Sequence, residues 1–193
     1  MISEHALKPL DFEIDVGAFS LAGALDHVFR ERMVRYRYAR IKEKDLMVSW
    51  IHHLVLNSVR PEGYPRHTLL AGLSGKNGRE RKRVFYEYAP VDEGQGILEV
   101  LLKRYWEGLR SPLHFFPESS WRYADLRLAK EKFPEAALEQ ARKTWEGSEW
   151  SRGEMEDPSY QLCFRQKDPL DDLFEDIAVE VFGPLLKHLR KKG

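Results

Sequence analysis

The sequence predicts an α+β fold, with strands gathered in the first part of the chain and helices in most of the rest. Residues 10–16 and 33–41 alternate apolar and polar side chains with the two-residue period of a strand. Residues 45–59 and 92–110 instead carry apolar residues at the spacing of an amphipathic helix. Because strands and helices do not alternate regularly, a doubly wound parallel sheet is disfavoured.

Three successive strands are expected to open the chain as an antiparallel meander. The first covers residues 10–16, Gly17 marks the turn after it, and the second covers residues 19–25. The third covers residues 33–41, where a valine and two tyrosines alternate with arginines. The alternation predicts Val34, Tyr36 and Tyr38 on one face, with Arg35, Arg37 and Arg40 near the other.

The predicted meander is followed by a helix and two further strands. Residues 45–59 form the helix, with Asp45 as a candidate N-cap. Residues 68–73 and 83–90 form the strands, which flank a turn with the sequence SGKNGRERK. The turn therefore joins two neighbouring strands and carries much positive charge.

Helices are predicted to dominate the rest of the chain. Residues 92–110, 126–147 and 170–189 have helical patterns, and the last helix is expected to bend near Pro184. Residues 112–123 are rich in aromatic side chains and proline, so they are expected to connect the first two of these helices.

The bulk composition is that of a soluble globular domain. The 193 residues carry 31 basic and 31 acidic side chains, so no net charge attracts the chain to nucleic acid or membrane. Cys163 is the single cysteine, which excludes an internal disulfide and suits the reducing cytoplasm. No apolar run approaches the ~18 residues of a membrane span, and no signal peptide opens the sequence. We expect one domain over 1–193, strand-rich at 1–91 and mainly helical at 92–193, cut from a longer protein.

Positive charge is nevertheless concentrated in two local clusters. Residues 30–42 contain six lysines and arginines against Glu31, and residues 76–83 contain five against Glu80. Such clusters contact the phosphates of nucleic acid rather than its bases. The candidate DNA-binding residues are Arg35, Arg37, Arg40, Lys42, Lys76, Arg79, Arg81, Lys82 and Arg83.

Residues 21–37 have the spacing of a metal-dependent nuclease core with altered charge. In nucleases of the PD-(D/E)XK type, an aspartate from one strand and Asp/Glu-x-Lys from the next hold a metal ion at the phosphate. Here Asp26 takes the first place, while Arg35 and Arg37 take the acid and lysine places. Arginine keeps its proton and cannot bind a metal, but it can grip a phosphate. We therefore predict a PD-(D/E)XK nuclease-like core that has lost its active site; on spacing alone, a solvated strand face is an equal alternative.

Other catalytic arrangements find weaker support, and we expect no catalytic residue, metal or cofactor. An active nuclease would have to use Asp26 with Glu13 or Asp15, which share a strand face, and it would lack the lysine. The literal Glu-x-Lys at residues 80–82 falls in the charged turn instead of on a central strand. The neighbours at residues 52–53, both histidines, point about 100° apart on a helix, so they cannot chelate one ion.

A third possibility is a domain that only binds other proteins. The aromatic segment at residues 115–117, with Trp121, and the acidic helix at residues 170–182 are the candidate docking surfaces. Aromatic side chains in a core and acids on a solvated helix face are the competing explanation for the same residues.

Several segments carry a family resemblance. LDFEIDV at 10–16, LAGAL at 21–25, the helix around Trp50, and the stretches at 105–124 and 145–162 occur in this order along nearly the whole chain. Their most specific parts are SPLHFFPESS and RGEMEDPSY. Together they resemble the family of C-terminal domains of RecC, the gamma chain of exodeoxyribonuclease V.

The resemblance implies a fold similar to that of PD-(D/E)XK nucleases, with the active site lost. It also implies membership of the RecBCD complex, which unwinds and degrades DNA from double-strand ends and prepares it for recombination. RecB-like and RecD-like subunits would be the protein partners, and DNA would be met at a duplex end or fork. Motor sites and the active nuclease would belong to those partners, whereas this domain would contact DNA near strand separation and help to hold them.

Overall fold

The computed structural model describes residues 6–75, 82–165 and 167–192, which form a mixed α+β architecture. The chain divides into two compact units, Met1–Lys103 with His188–Gly193 and Arg104–Lys187. The expectation of a single domain over the whole chain stays a prediction.

The elements follow one another along the chain with short connections. The strands are β1 Leu10–Val16, β2 Phe19–Leu25, β3 Met33–Arg40, β4 Thr68–Ser74, β5 Lys82–Tyr88, β6 Gly147–Ser148, β7 Ser151–Arg152 and β8 Leu189–Lys192. The α-helices are α1 Glu43–Val59, α2 Gly94–Gly108, α3 Pro117–Ala124, α4 Pro134–Glu146, α5 Pro158–Cys163 and α6 Asp172–His188. A π-helical turn at Asp125–Ala129 and a 3₁₀ turn at Glu154–Glu156 complete the set.

The first two strands form an isolated antiparallel hairpin. β1 and β2 pair throughout, from Leu10 opposite Leu25 to Val16 opposite Phe19. Gly17 has a φ of 59°, a left-handed conformation that glycine adopts readily, and this closes the turn. The predicted meander is wrong in its third member, because β3 belongs to a different sheet.

The second sheet has four strands in the order β3-β4-β5-β8. β3 and β4 are parallel and are joined through α1, whereas β4, β5 and β8 pair in antiparallel fashion. A parallel neighbour needs such a crossover, which explains why β3 pairs with β4 beyond the helix. β8 was not expected, since its sequence LRKK lacks apolar alternation, and the helix predicted at 170–189 ends one residue earlier.

Helix α1 covers one face of this sheet with its buried residues. Trp50 stacks on His53 and Tyr88 at ring-centroid distances of 5.4 and 5.8 Å, and the Tyr88 hydroxyl donates to the Leu46 carbonyl at 2.9 Å. At the start of the helix, the Asp45 carboxylate accepts a hydrogen bond from the Lys42 amide at 2.8 Å. Asp45 therefore caps the helix from the third helical position, not from the N-cap itself.

A buried polar network joins α1 to the loops beside it. The Asn57 side-chain amide donates to the carbonyls of His53 and Arg66 at 2.9 and 3.1 Å. Its oxygen accepts from the Val91 amide and from Arg66 Nε, both at 3.2 Å. The side chain thus satisfies both of its polar ends while it is fully buried.

The second unit is built around aromatic side chains. Phe116 is fully buried and packs against Trp145, Phe164 and Phe174, with the closest ring centroids 4.2 Å apart. Residues 117–124 form α3, so the expectation of a connection over 112–123 is wrong there. Pro117 begins this helix, where its fixed φ and missing amide proton are tolerated, instead of interrupting it.

Helix α6 accommodates Pro184 inside the helix and ends the second unit. Among the residues that the structure describes, no helix is long and apolar enough to cross a membrane.

Candidate nucleic-acid interface

The segment after β2 turns back to run beside the start of β3. Val28 bridges to Met33 in antiparallel fashion, and the Val34 amide donates to the His27 carbonyl at 2.9 Å. His27 has a φ of 53°, which is uncommon for a residue with a side chain. This sharp turn brings the residue before it, Asp26, beside β3 although β2 and β3 are not paired.

Asp26 and Arg35 form an ion pair across this turn. The Arg35 guanidinium lies 2.8 Å from the Asp26 carboxylate, and His27 Nδ1 lies 3.1 Å from its other oxygen. A hydrogen bond from His27, followed by the charges of His27 and Arg35, lowers the pKa of Asp26 despite its partial desolvation. The pair lines a recess of about 250 Å³ together with His27, Val34 and Tyr36.

Arg37 lies apart from this pair. Its guanidinium contacts the Asp45 carboxylate of α1 at 2.5 Å. Of the three residues predicted for the degenerate nuclease site, the structure therefore joins Asp26 to Arg35 and gives Arg37 a different acid.

The chemistry of the Asp26–Arg35 pair is that of a neutralised carboxylate. A guanidinium in contact with the carboxylate occupies one of its oxygens and repels a divalent cation. The same positive charge also reaches α1, where burial, followed by the charge of Arg35, lowers the pKa of His52. The arrangement therefore disfavours a metal ion at this place.

The other predicted cations differ in how they are placed. Arg40, Lys42, Lys82 and Arg83 are exposed. Arg40 lies opposite Leu73, which in turn lies opposite Arg83, so these two arginines share one face of the sheet. That face carries Tyr36 as well, and the expectation that Arg40 lies near Arg35 and Arg37 is wrong. Lys76, Arg79 and Arg81 lie outside the described residues.

The residues considered for alternative functions have evident structural settings. Glu13 and Asp15 are exposed on β1, which is in a different sheet from Arg35. His53 is fully buried within the core. Among the acids at 170–182, Asp171, Glu175 and Glu180 have partners inside the second unit, which are His114, Tyr123 and Arg104.

Two functional features were not recognised from the sequence. The tyrosines of β3 point away from the helix-covered face: Tyr36 is 70% exposed and Tyr38 is 94% exposed. Glu154 accepts hydrogen bonds at the start of α3, from the amides of Glu118 and Ser119 at 2.9 and 2.7 Å. The alternation of aromatic and basic residues along β3 could have indicated the exposed tyrosines. The contact of Glu154 with α3 joins two motifs that are distant in the sequence, so no local pattern could have indicated it.

Comparisons with known proteins point to one family. The RecC C-terminal domain family matches residues 1–128. The chain is similar to the RecBCD enzyme subunit RecC of Buchnera aphidicola subsp. Schizaphis graminum, with 22% identity over 193 residues, which is 95% of this chain and 17% of that protein. It is similar to the RecBCD enzyme subunit RecC of Mycolicibacterium smegmatis, with 30% identity over 118 residues, 61% of this chain and 10% of that protein. The chain thus spans 17% or less of the length of these relatives.

Proposed function

Because the chain belongs to the RecC C-terminal domain family, we propose that it is a non-catalytic, DNA-contacting domain of a RecBCD-type helicase-nuclease. Its partners in this proposal are RecB-like and RecD-like subunits, and its setting is double-strand-break repair and recombination in the cytoplasm. The observation that carries the proposal is the ion pair between Arg35 and Asp26, at 2.8 Å.

The pair supports descent from a nuclease core whose metal site has been lost. In a PD-(D/E)XK site, a second acid would stand at the position of Arg35 and would hold a cation together with Asp26. Here the guanidinium supplies positive charge at that position without any metal. The α+β architecture with a mixed sheet is compatible with such a core, although Asp26 reaches β3 through a turn and not through strand pairing.

The exposed cations provide the means to hold DNA. Arg40, Lys82 and Arg83 lie at the same end of the four-stranded sheet, beside the last residues of β4. Each is exposed and can form an ion pair with a phosphate oxygen. Contacts of this kind depend on charge and position, so they suit a domain that guides DNA irrespective of its sequence.

Reversing these charges is expected to weaken DNA binding about tenfold and to reduce the salt dependence of binding. The variant is Arg40→Glu with Lys82→Glu and Arg83→Glu. Loss of three phosphate contacts should lower the slope of log affinity against log salt by about 3. Fluorescence anisotropy with a labelled forked duplex, titrated at several salt concentrations, measures both quantities.

The matched control makes the same change in charge at exposed positions of the second unit: Lys132→Glu, Arg165→Glu and Lys167→Glu. It should retain most of the wild-type affinity, since a general electrostatic effect would weaken both variants equally. Equal losses in the two triple variants, or no loss in either, would refute the proposed contact.

The isolated chain is expected to leave DNA intact. Incubation with linear and supercoiled DNA in Mg²⁺ or Mn²⁺ should give no product above that of a mock purification, because the Arg35 guanidinium repels the metal from Asp26. Electrophoresis of the products checks this. Nicking that disappears in an Asp26→Ala variant, purified in parallel, would instead establish an active nuclease.

A further inference from the structure

We propose that the face of the four-stranded sheet opposite α1, called here the outer face, binds single-stranded nucleic acid by stacking bases on its tyrosines. This inference rests on the proposed DNA-contacting function and assigns to it a class of ligand and a surface. The surface lies on the other side of the sheet from the ion pair of Arg37 with α1.

The two faces of the sheet differ sharply in burial. Met33, Thr68 and Tyr88 are aligned across the inner face, and all three are fully buried. On the outer face, the apolar residues of the central strands are only half-buried, and the residues of both edge strands include fully exposed ones. The inner face therefore forms the core, and the outer face is open to a ligand.

Strand register sets out the outer face in rows. Each row runs across neighbouring strands, and its members point to the same side of the sheet. The rows are Tyr36–Ala71–Phe85–Lys192, Arg40–Leu73–Arg83 and Val34–Leu69–Glu87–Arg190. The central strands contribute mainly apolar residues to this face. The tyrosines lie at the β3 edge, and arginines and lysines lie at the margins.

The tyrosines are placed to receive successive bases. Tyr36 and Tyr38 are 70% and 94% exposed, so their rings are open to stacking. Residues two apart on a regular strand are roughly 6.6 Å apart, about twice the 3.4 Å rise of one duplex strand. The register of β3 shifts between Tyr36 and Arg40, so Tyr38 is placed on this side by its exposure and not by a paired neighbour. A strand that is stretched and unstacked can therefore place one base on each ring. Phe85, in the same row as Tyr36, extends the apolar platform beneath them.

The charge of the face matches a phosphate backbone. Arg40, Arg83 and Arg190 are exposed at its margins. Glu87 on this face is neutralised by a contact with Lys192 and by Arg32 at 3.3 Å. A hydrogen bond from Lys192, followed by the charges of Lys192 and Arg32, lowers the pKa of Glu87. Aromatic rings among cations are the features of surfaces that bind single strands. An intact duplex keeps its base faces covered, so rings that stack on bases require a single strand.

The test compares two probes of equal length, an oligothymidylate and an abasic oligonucleotide with the same number of phosphates. Anisotropy titrations of the full 193-residue chain should show tighter binding of the oligothymidylate. Tyr36→Ala with Tyr38→Ala should weaken oligothymidylate binding about tenfold, the effect of losing base stacking, and leave the abasic probe nearly unchanged. Both side chains are exposed, so the double variant retains the core.

A control variant, Phe133→Ala with Trp150→Ala, removes two other exposed aromatic side chains, which are 80% and 92% exposed. It should bind both probes as the wild type does.

Equal affinity of the wild type for the two probes, or unchanged oligothymidylate binding by the tyrosine variant, overturns base stacking but leaves phosphate contact in place. Loss of binding to a RecB-like subunit with unchanged oligothymidylate binding assigns the face to a protein and also overturns it. Failure of the wild type to bind either probe or a forked duplex refutes the proposed function itself.

Discussion

Replacing His53 with alanine is expected to lower the free energy of unfolding by about 3–5 kcal/mol. His53 is fully buried, and its Nε2 lies 3.0 Å from the Ala89 carbonyl, which can only accept. Nε2 therefore carries the proton, and Nδ1 accepts from the Thr68 hydroxyl at 2.9 Å. The substitution removes the hydrogen bonds of both partners and opens a cavity beside Trp50, on which the ring stacks, and Tyr88, which it packs against.

The same residue should make the protein sensitive to acid. Burial lowers the pKa of His53 from 6.5 to about 4, with smaller contributions from nearby positive groups. Below pH 6.5 His53 binds a proton in the unfolded chain but not in the folded one. The free energy of unfolding therefore falls as the pH drops toward 4. Over this interval the loss is about 1.4 kcal/mol for each pH unit.

Urea denaturation at about pH 7.5 and about pH 5.0 measures both effects. The wild type should lose about 2 kcal/mol more than the His53→Ala variant between these values, because the variant lacks the titrating group. Thr68→Val is a milder second variant that removes only the hydroxyl donor and should cost about 1–3 kcal/mol. His67→Ala, at an exposed histidine, is the control and should keep the pH dependence of the wild type. If His67→Ala removed that pH dependence as fully as His53→Ala does, the role assigned to His53 would be contradicted.

The first three strands of the chain show what a local pattern can and cannot predict. The alternation of residues 33–41 correctly predicted β3, because the two-residue period is a property of the strand itself. Its partner depends on distant residues, and β3 pairs with β4 only after the chain has passed through α1. The seven residues between β2 and β3 resemble a hairpin loop in length. His27, in a left-handed conformation, instead reverses the chain there, and Val28 forms an isolated bridge with Met33.

The candidate site was predictable to a similar degree. Spacing placed Asp26 and Arg35 in one pattern, and the structure brings their side chains together. The same spacing linked Arg37 to that pair, whereas the nearest available acid for Arg37 is Asp45 of α1. Sequence period assigns a residue to a face, but the helix that packs on that face decides which partner it meets. Because α1 packs on the side of β3 that carries Arg35 and Arg37, that side is covered, and Tyr36 and Tyr38 are exposed on the other.

Two separate motifs, SPLHFFPESS and RGEMEDPSY, were recognised as specific without a physical explanation. In the structure they meet, since the carboxylate of Glu154 in the second motif caps α3 in the first. Gly153 is required beside it because a Cβ there would lie 2.4 Å from the Trp145 carbonyl oxygen. Tyr160, at the end of the second motif, packs its ring 5.0 Å from that of Phe116. No local pattern in either motif encodes this long-range contact.

Replacing Glu154 with alanine is therefore expected to destabilise the second unit by about 3 kcal/mol. The substitution removes the acceptor for the Glu118 and Ser119 amides and for the Ser119 hydroxyl, which donates at 2.6 Å. Two amides at the N-terminus of α3 would lose their partner, and the helix would lose a negative charge that its dipole favours. Urea denaturation measures the loss, and faster hydrogen exchange at the Glu118 and Ser119 amides locates it.

The pH dependence of the free energy of unfolding distinguishes the effect of the charge of Glu154 from that of its hydrogen bonds. Burial raises the pKa of Glu154 above its usual 4.5, although the hydrogen bonds from Ser119 and Glu118 oppose this. The folded carboxyl therefore holds its proton to higher pH than the unfolded one, so its contribution to stability declines as pH rises from 4.5 through the raised pKa. Glu154→Gln should abolish that decline and cost less than alanine, because the amide oxygen still accepts. Glu149→Gln, at an exposed position nearby, should leave the decline intact; the same pH profile in both glutamine variants would show that the cap does not titrate.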